Sequence, residues 1–222
     1  MRYAASSALL ALLPASPAEA PWDRFEAATL AELNRVRADP RGWARELREY
    51  RKTFRGPVSF ESGPRRGIAT QEGVAAVDEA IAFLERQPAL PPFGPADLLA
   101  RAARDLASEQ ARTGRTGHVS RDGRQPGDRA RAAGGDVYVG ETIAYGFHHP
   151  RGAVRQLVVD DGVPGRGHRR LVFSTRYRFA GAACGPHPTF AAMCVVNYGV
   201  TPDGRPEPPA PPSPPRSAAT KR

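Results

Sequence analysis

Three separated stretches of this 222-residue chain each set an ionisable side chain beside glycine: Gly117-His118-Val119-Ser120, Gly140-Glu141-Thr142-Ile143-Ala144-Tyr145-Gly146 and Gly165-Arg166-Gly167-His168-Arg169-Arg170. If they converge, two imidazoles and a carboxylate share one cavity. Neutral imidazole is a good zinc ligand, and two histidines with a carboxylate leave a coordination position open for water. Glu141 then has three possible roles: it ligates, it orients a histidine from outside the coordination sphere, or it accepts a proton from bound water. Separations of 23 and 27 residues do not bring these groups together by themselves. The alternative is purely structural, with each histidine bonded to a backbone carbonyl and the glutamate tying down a loop.

Other chemistries are weaker. Ser120 and Ser174 lack the sequence of a nucleophile elbow. Gly162, Gly165 and Gly167 have neither a dinucleotide-type strand, loop and helix nor a Walker lysine beside them. His148-His149 before Pro150 reads as an exposed turn. Cys184 and Cys194 are the only cysteines. In an exported chain they are expected to form a disulfide worth about 2 to 3 kcal/mol in the chain-entropy model. The competing reading is a small metal site of Cys184, His187 and Cys194, which lacks a fourth ligand nearby.

The ends stand apart from the domain. Residues 1–20 carry one early cation, Arg2, an apolar run from Tyr3 to Leu13 and then small residues, the pattern of a cleavable signal peptide. That predicts a secreted or periplasmic protein with no membrane span in the mature chain, because a spanning helix needs about 20 apolar residues. Residues 201–222 hold eight prolines and almost nothing apolar. They read as an extended, solvated tail, with a spacer or a ligand for a proline-recognising groove as the functional alternatives.

Residues 21–200 are long enough for one core. Setting aside the tail's four cations and two anions, and one of each in the leader, leaves 27 cations and 20 anions, a balance of +7. Only Lys52 and Lys221 are lysine, and the arginines are spread over every segment. A nucleic-acid binder clusters its cations on one face with aromatics between them, so specific nucleic-acid binding is not expected.

The elements that must position the three stretches are helical first and mixed later. Phe25, Thr29, Leu33 and Val36 repeat at helical steps up to Asp39-Pro40, and Trp43 to Tyr50 continues as a short turn. Val74, Val77, Ile81 and Leu84 predict a helix over about 71–86 with Thr70 as its cap. Leu98, Ala102, Leu106 and Gln110 mark a helix ending at Gly114, and Ala153, Val154, Leu157 and Val158 mark a shorter one over 150–160. Strand character is confined to 142–145, 179–184 and 190–198. The last two read as an antiparallel hairpin turning at Gly185-Pro186-His187-Pro188.

The run Leu33-Asn34-Arg35-Val36-Arg37 with Pro40, then Gly117-His118, Gly140-Glu141-Thr142-Ile143-Ala144, Gly167-His168-Arg169 and the closing Asn197-Tyr198-Gly199 together resemble the CAP superfamily. This is the SCP-like group of cysteine-rich secretory proteins, antigen 5 and plant pathogenesis-related proteins. The Thr70-Gln71-Glu72-Gly73-Val74 segment and the Asp160-Asp161-Gly162-Val163-Pro164 lead into Gly167-His168-Arg169 are similar to its bacterial secreted branch.

The resemblance implies an α+β fold, a three-layer α-β-α sandwich with a small antiparallel sheet between helices. It also implies an open cavity of two histidines and two acids. His118, Glu141 and His168 take three of those places, and Asp161 or its neighbour Asp160 the fourth. The implied function is a secreted, non-catalytic binding module whose cavity takes a divalent metal such as zinc, or a lipid, cell-wall or protein ligand. The alternative is a metal-assisted, peptidase-like hydrolase with Glu141 as base.

Overall fold

A computed structural model describes residues 21–60 and 67–207, so the leader and residues 208–222 of the tail lie outside the described residues. Helix α1 (Pro21–Ala38) buries Thr29, Leu33 and Val36 completely and ends where Asp39-Pro40 starts α2 (Pro40–Arg51). The expected short turn is therefore a 12-residue helix. Asp39 caps it, accepting the Gly42 N–H at 2.7 Å, and Pro40 occupies the first turn, where its missing N–H costs nothing.

A small antiparallel meander follows, β1 (Phe54–Arg55), β2 (Val58–Ser59) and β3 (Ile68–Ala69), outside the three stretches to which strand character was confined. Helix α3 (Val74–Arg86) starts later than expected, and Thr70 is not its cap. The Thr70 hydroxyl instead donates to the Pro57 carbonyl at 2.6 Å, and Gly73 at φ 61° turns the chain into the helix.

The central sheet has the order β4 (Gly94–Pro95), β6 (Phe179–His187), β7 (Ala191–Gly199), β5 (Val139–Tyr145), antiparallel except where β4 meets β6. Strand alternation divides the core in two. Ile143, Ala183, Met193 and Val195 pack with Ala103, Leu106 and Ala107 of α4 (Asp97–Thr113). Ala144, Ala182, Cys184, Cys194 and Val196 face the other way, towards Leu33, Val77, Ile81 and Leu157 of α1, α3 and α6 (Pro150–Val159). Each fully buried Leu, Ile or Val contributes about 1.5–3 kcal/mol, so the two faces together lock helices on both sides of the sheet. The result is the three-layer α-β-α sandwich.

Close approach fixes the α4 side. A Cβ at Gly181 would stand 2.2 Å from the Ala100 backbone nitrogen, so only glycine lets this helix lie so near the strand. On the other side, Asn34 of α1 exchanges two hydrogen bonds with the Phe93 backbone, at 2.8 and 3.1 Å, which ties the helix to the segment entering β4. Two short helices were not apparent from periodicity: α5 (Pro126–Ala132) and α7 (Gly167–Val172), the second reached through a 3-10 turn at Pro164–Arg166.

The hairpin turns later than expected. Gly185, Pro186 and His187 stay in register with Met193, Ala192 and Ala191, and the reversal falls at Pro188 to Phe190. Pro186 is tolerated because β4 pairs with β6 only at residues 179 and 180, leaving that end without a second ladder to feed. The His187 ring holds the turn: Nδ1 accepts the N–H groups of Thr189 and Phe190, and Nε2 bonds the Arg115 carbonyl. Cys184 and Cys194 face each other across the strands and form a disulfide. The competing metal site of Cys184, His187 and Cys194 is thereby excluded, since both sulfurs and both ring nitrogens are committed.

Candidate functional site

His118 leaves the α4 layer on a loop set by Gly114, which ends the helix at φ 67°, and by Gly117 at φ 92°. One glutamine and one tyrosine hold that loop. Gln110 donates to the Gly117 carbonyl at 2.7 Å, the Tyr145 hydroxyl donates to Gln110 at 2.7 Å, and the Gly117 N–H returns to the same hydroxyl at 3.0 Å. Burial pushes the Tyr145 phenol above its ordinary value, and the Glu141 carboxylate adds to the shift, so this hydroxyl stays a donor.

Glu141 lies on β5, on the face shared with Ile143 and Tyr145, and its side chain is 1% exposed. Both oxygens are engaged. Oε1 is 2.9 Å from Nδ1 of His118, and Oε2 accepts Nη2 of Arg129 at 2.6 Å. Arg129, from α5, is itself fully buried and spends Nη1 on the His118 carbonyl, the Ser120 hydroxyl and the Arg124 carbonyl, each at 3.0 Å. One guanidinium thus ties the carboxylate to both ends of the histidine loop.

His168 sits in the first turn of α7, with Asp160 as its partner. The carboxylate of Asp160 meets His168 Nδ1 at 2.7 Å and accepts the N–H groups of His168 and Arg169 at 2.9 and 3.2 Å. Asp160 ends α6 in the left-handed region at φ 58°, a conformation that aspartate tolerates better than most residues. Asp161, the first choice from sequence, does not line the site. Its carboxylate accepts the backbone N–H groups of Gln71 and Glu72, at 2.7 and 2.8 Å, and so ties the loop to the entrance of α3. Consecutive residues point apart here, and the left-handed turn at Asp160 decides which one meets His168.

That loop is braced by charge. Arg166, at φ 54°, pairs with Glu72 and Glu79, and Arg169 donates to Glu79 and to the carbonyls of Val158 and Val159. The Arg166 guanidinium, with the Gly162 N–H behind it, lowers the Glu72 carboxyl to about 2.

The two rings are 6.1 Å apart, centre to centre, and tilted by 45°. The fold therefore brings His118, Glu141, His168 and Asp160 together, with the histidine side chains 43% and 21% exposed and both carboxylates buried. An ionised carboxylate can only accept, so Nδ1 of each ring carries the proton in the neutral form and Nε2 is left as the free acceptor. Arg129, Gln110 and Tyr145 were not singled out from sequence as site residues. Arg129 is one of many arginines, and Gln110 looked like one more member of a helical stripe.

The donor set can be tested against a metal. Among the described residues no group of three or more His, Cys, Asp or Glu side chains is arranged to hold an ion. Two imidazoles on one tetrahedral zinc hold their ring centres about 5 Å apart, so the 6.1 Å here would have to close by about 1 Å. The two imidazoles would offer a cation two nitrogens, with water completing its shell, only after that closure. They do not fit a catalytic zinc site, which takes three protein ligands.

The profile of the cysteine-rich secretory protein family, CAP, matches residues 30–198. The chain belongs to the CAP family. Its matched span contains the whole histidine and carboxylate cluster. Two solved structures are similar at low identity. An extracellular protein containing an SCP domain from Bacillus anthracis str. Ames is 18% identical over 49% of this CAP chain, with a TM-score of 0.42. This chain spans 34% of that protein. An outer surface protein from Borrelia burgdorferi is 19% identical over 59% of this chain and 94% of its own, also with a TM-score of 0.42. No curated protein matches the chain. Among the described residues no helix is long and apolar enough to cross a membrane.

Proposed function

We propose that this CAP chain is a secreted, non-catalytic binding module that recognises its ligand through the Nε2 atoms of His118 and His168. The observation that carries the reading is the burial of both carboxylates, 1% and 0% exposed, with both oxygens of each already engaged. Glu141 is divided between His118 and Arg129, and Asp160 between His168 and two backbone N–H groups. A general base needs a lone pair turned towards the proton it takes. These carboxylates are instead positioning residues, fixing ring orientation and proton placement behind a partly exposed pair of acceptors.

The chemistry such a pair takes is a divalent cation, zinc above all, held by two nitrogens, or the hydroxyl and amide donors of a cell-wall fragment, lipid headgroup or protein loop. Metal-assisted peptide hydrolysis with Glu141 as base is disfavoured by the lack of a third ligand among the described residues and by the grip of Arg129. Export fits the leader-like first 20 residues and the disulfide, since such bonds persist in oxidising compartments.

Zinc titration of the full chain, followed by the ring resonances of both histidines, tests the reading. The two rings should respond together to one equivalent of ion, and His118→Ala or His168→Ala should weaken binding by at least about tenfold. Independent responses of the two rings would refute a shared site. Metal-dependent peptide turnover that disappears in a folded Glu141→Gln variant would refute a non-catalytic one.

A further inference from the structure

The strand beside Glu141 carries a buried polar side chain that the histidine cluster does not touch directly. Asn197, from β7, stands opposite Glu141 of β5, and opposite Gly181 of β6 on its other side. The Gly146 N–H donates to the Ala192 carbonyl at 2.9 Å, while the N–H and carbonyl of Tyr145 turn away from β7 to the Gln156 side chain. Stepping back by twos along β5, Glu141 and Asn197 form a pair without ladder hydrogen bonds. Side chains of such pairs stand closest, with about 4.5–5.5 Å between Cβ atoms. Both lie on the α4 face, where Asn197 Nδ2 donates to the Leu99 carbonyl at 3.3 Å.

Two buried atoms here have no hydrogen-bond partner among the described residues. They are Oδ1 of Asn197, a residue 0% exposed, and Nε of Arg129. One is an acceptor and the other a donor, and both belong to neighbours of the same carboxylate. They are not bonded to each other. A guanidinium is a rigid fork in which the Nε–H runs parallel to the near N–H of Nη2, and Nη2 already bonds Glu141 Oε2 at 2.6 Å. The Nε–H therefore points to a spot beside that oxygen, on the face of the sheet that Asn197 shares. Leaving both atoms unpaired in a dry interior is costly, so the spot calls for a group that serves both.

We propose that one internal water binds at this spot, accepting from Arg129 Nε, donating to Asn197 Oδ1 and giving its second hydrogen to Glu141 Oε2. About three bonds of this kind are typical of a buried water. A metal ion or an ammonium group would face the Arg129 N–H, and an anion would face two acceptors. Only a small neutral molecule that both donates and accepts satisfies all three groups. Asn197 thereby becomes a positioning residue for the histidine site, a role that rests on the binding reading above, whereas the water itself does not. Through the water it holds the Arg129 guanidinium and Glu141, and Glu141 holds Nδ1 of His118. The cluster is then tied to β7, inside the sheet, as well as to the edge strand β5.

NMR of the full chain tests this, with water itself as the probe. The Arg129 Nε–H should show a cross-relaxation peak to a long-lived water. The peak should survive in Ser120→Ala, which removes the hydroxyl bonded to the same guanidinium and with it any relay through that hydroxyl. Asn197→Leu should abolish the peak. It should also shift the ring-nitrogen resonances of His118, because a carboxylate that loses one donor accepts more strongly from the other. Those of His168, held by Asp160, should stay in place. Absence of the water peak in the parent chain overturns the proposal, and so does a peak that is lost in Ser120→Ala or kept in a folded Asn197→Leu. His118 resonances unmoved when the water is lost overturn the positioning role. All of these are read without zinc, so their failure is distinct from failure of the zinc titration that tests the binding reading.

Discussion

Replacing Arg129 by methionine gives the most direct measure of how the histidine cluster is held. The guanidinium is 0% exposed and bonded to a carboxylate that is 1% exposed. Removing one member of such a pair leaves a buried charge and costs about 3–5 kcal/mol. Two features favour the lower end: Glu141 keeps His118 at 2.9 Å, and Nε of Arg129 has no partner to lose among the described residues. The Ser120 hydroxyl and the His118 carbonyl also lose a donor, which adds about 1 kcal/mol at each site that stays dry. The expected loss is therefore about 3–5 kcal/mol, or about 6–20 °C in Tm for a domain of this size. Urea and thermal denaturation followed by circular dichroism measure it, with an unchanged urea slope showing that the native state is still compact. Adding Glu141→Leu should recover about 1–2 kcal/mol, because the orphaned charge leaves with it. A single-variant loss below about 1 kcal/mol, or strictly additive losses in the double variant, would refute the buried-pair reasoning.

Asp160→Ala should cost about 2–4 kcal/mol, through three lost acceptor contacts and a left-handed backbone that alanine resists, and should change the His168 ring resonances. Asp161→Ala should cost about 1 kcal/mol and leave those resonances unmoved; comparing the two variants by denaturation and NMR checks which acid serves the site. Gly181→Ala should prevent stable folding or cost more than about 3 kcal/mol, since its Cβ meets the α4 backbone, whereas Gly185→Ala has open space and should fall within about 1 kcal/mol of the parent in the same denaturation assay. The Glu72 carboxyl is held at about 2 in the folded chain, below its ordinary 4.5, so its pairing with Arg166 stabilises the loop above about pH 4.5 and is lost as the pH falls through about 2. Urea midpoints measured across that window should fall less steeply in Glu72→Gln than in the parent.

Helical periodicity needs only a buried stripe, and the stripes through Leu33, Val77, Leu106 and Leu157 were legible because each helix lays one face on the sheet. Short elements carry too little pattern to be read this way. Helix α7, six residues long, and the two-residue strands β1 to β4 exist only because neighbours supply their hydrogen bonds. The hairpin was visible in Val195-Val196, yet its turn was displaced by three residues, since His187 bonds two backbone N–H groups that its sequence neighbours do not foretell.

For the site, residue type and the flanking glycines determined which groups could act: two imidazoles and a carboxylate at His118, His168 and Glu141, with an acid from the Asp160-Asp161 pair. Their meeting at 6.1 Å was decided by the tertiary structure, because a strand, an interhelical loop and a short helix converge only when the sheet has closed. So was the choice of Asp160 over Asp161, which turns on one left-handed residue at the end of α6. The role of Arg129 was decided there too: one guanidinium among many becomes distinctive only when burial leaves it a single carboxylate to neutralise. Sequence names the chemical groups; packing sets which acceptors a ligand can reach, and here those are on the partly exposed histidines rather than the buried carboxylates.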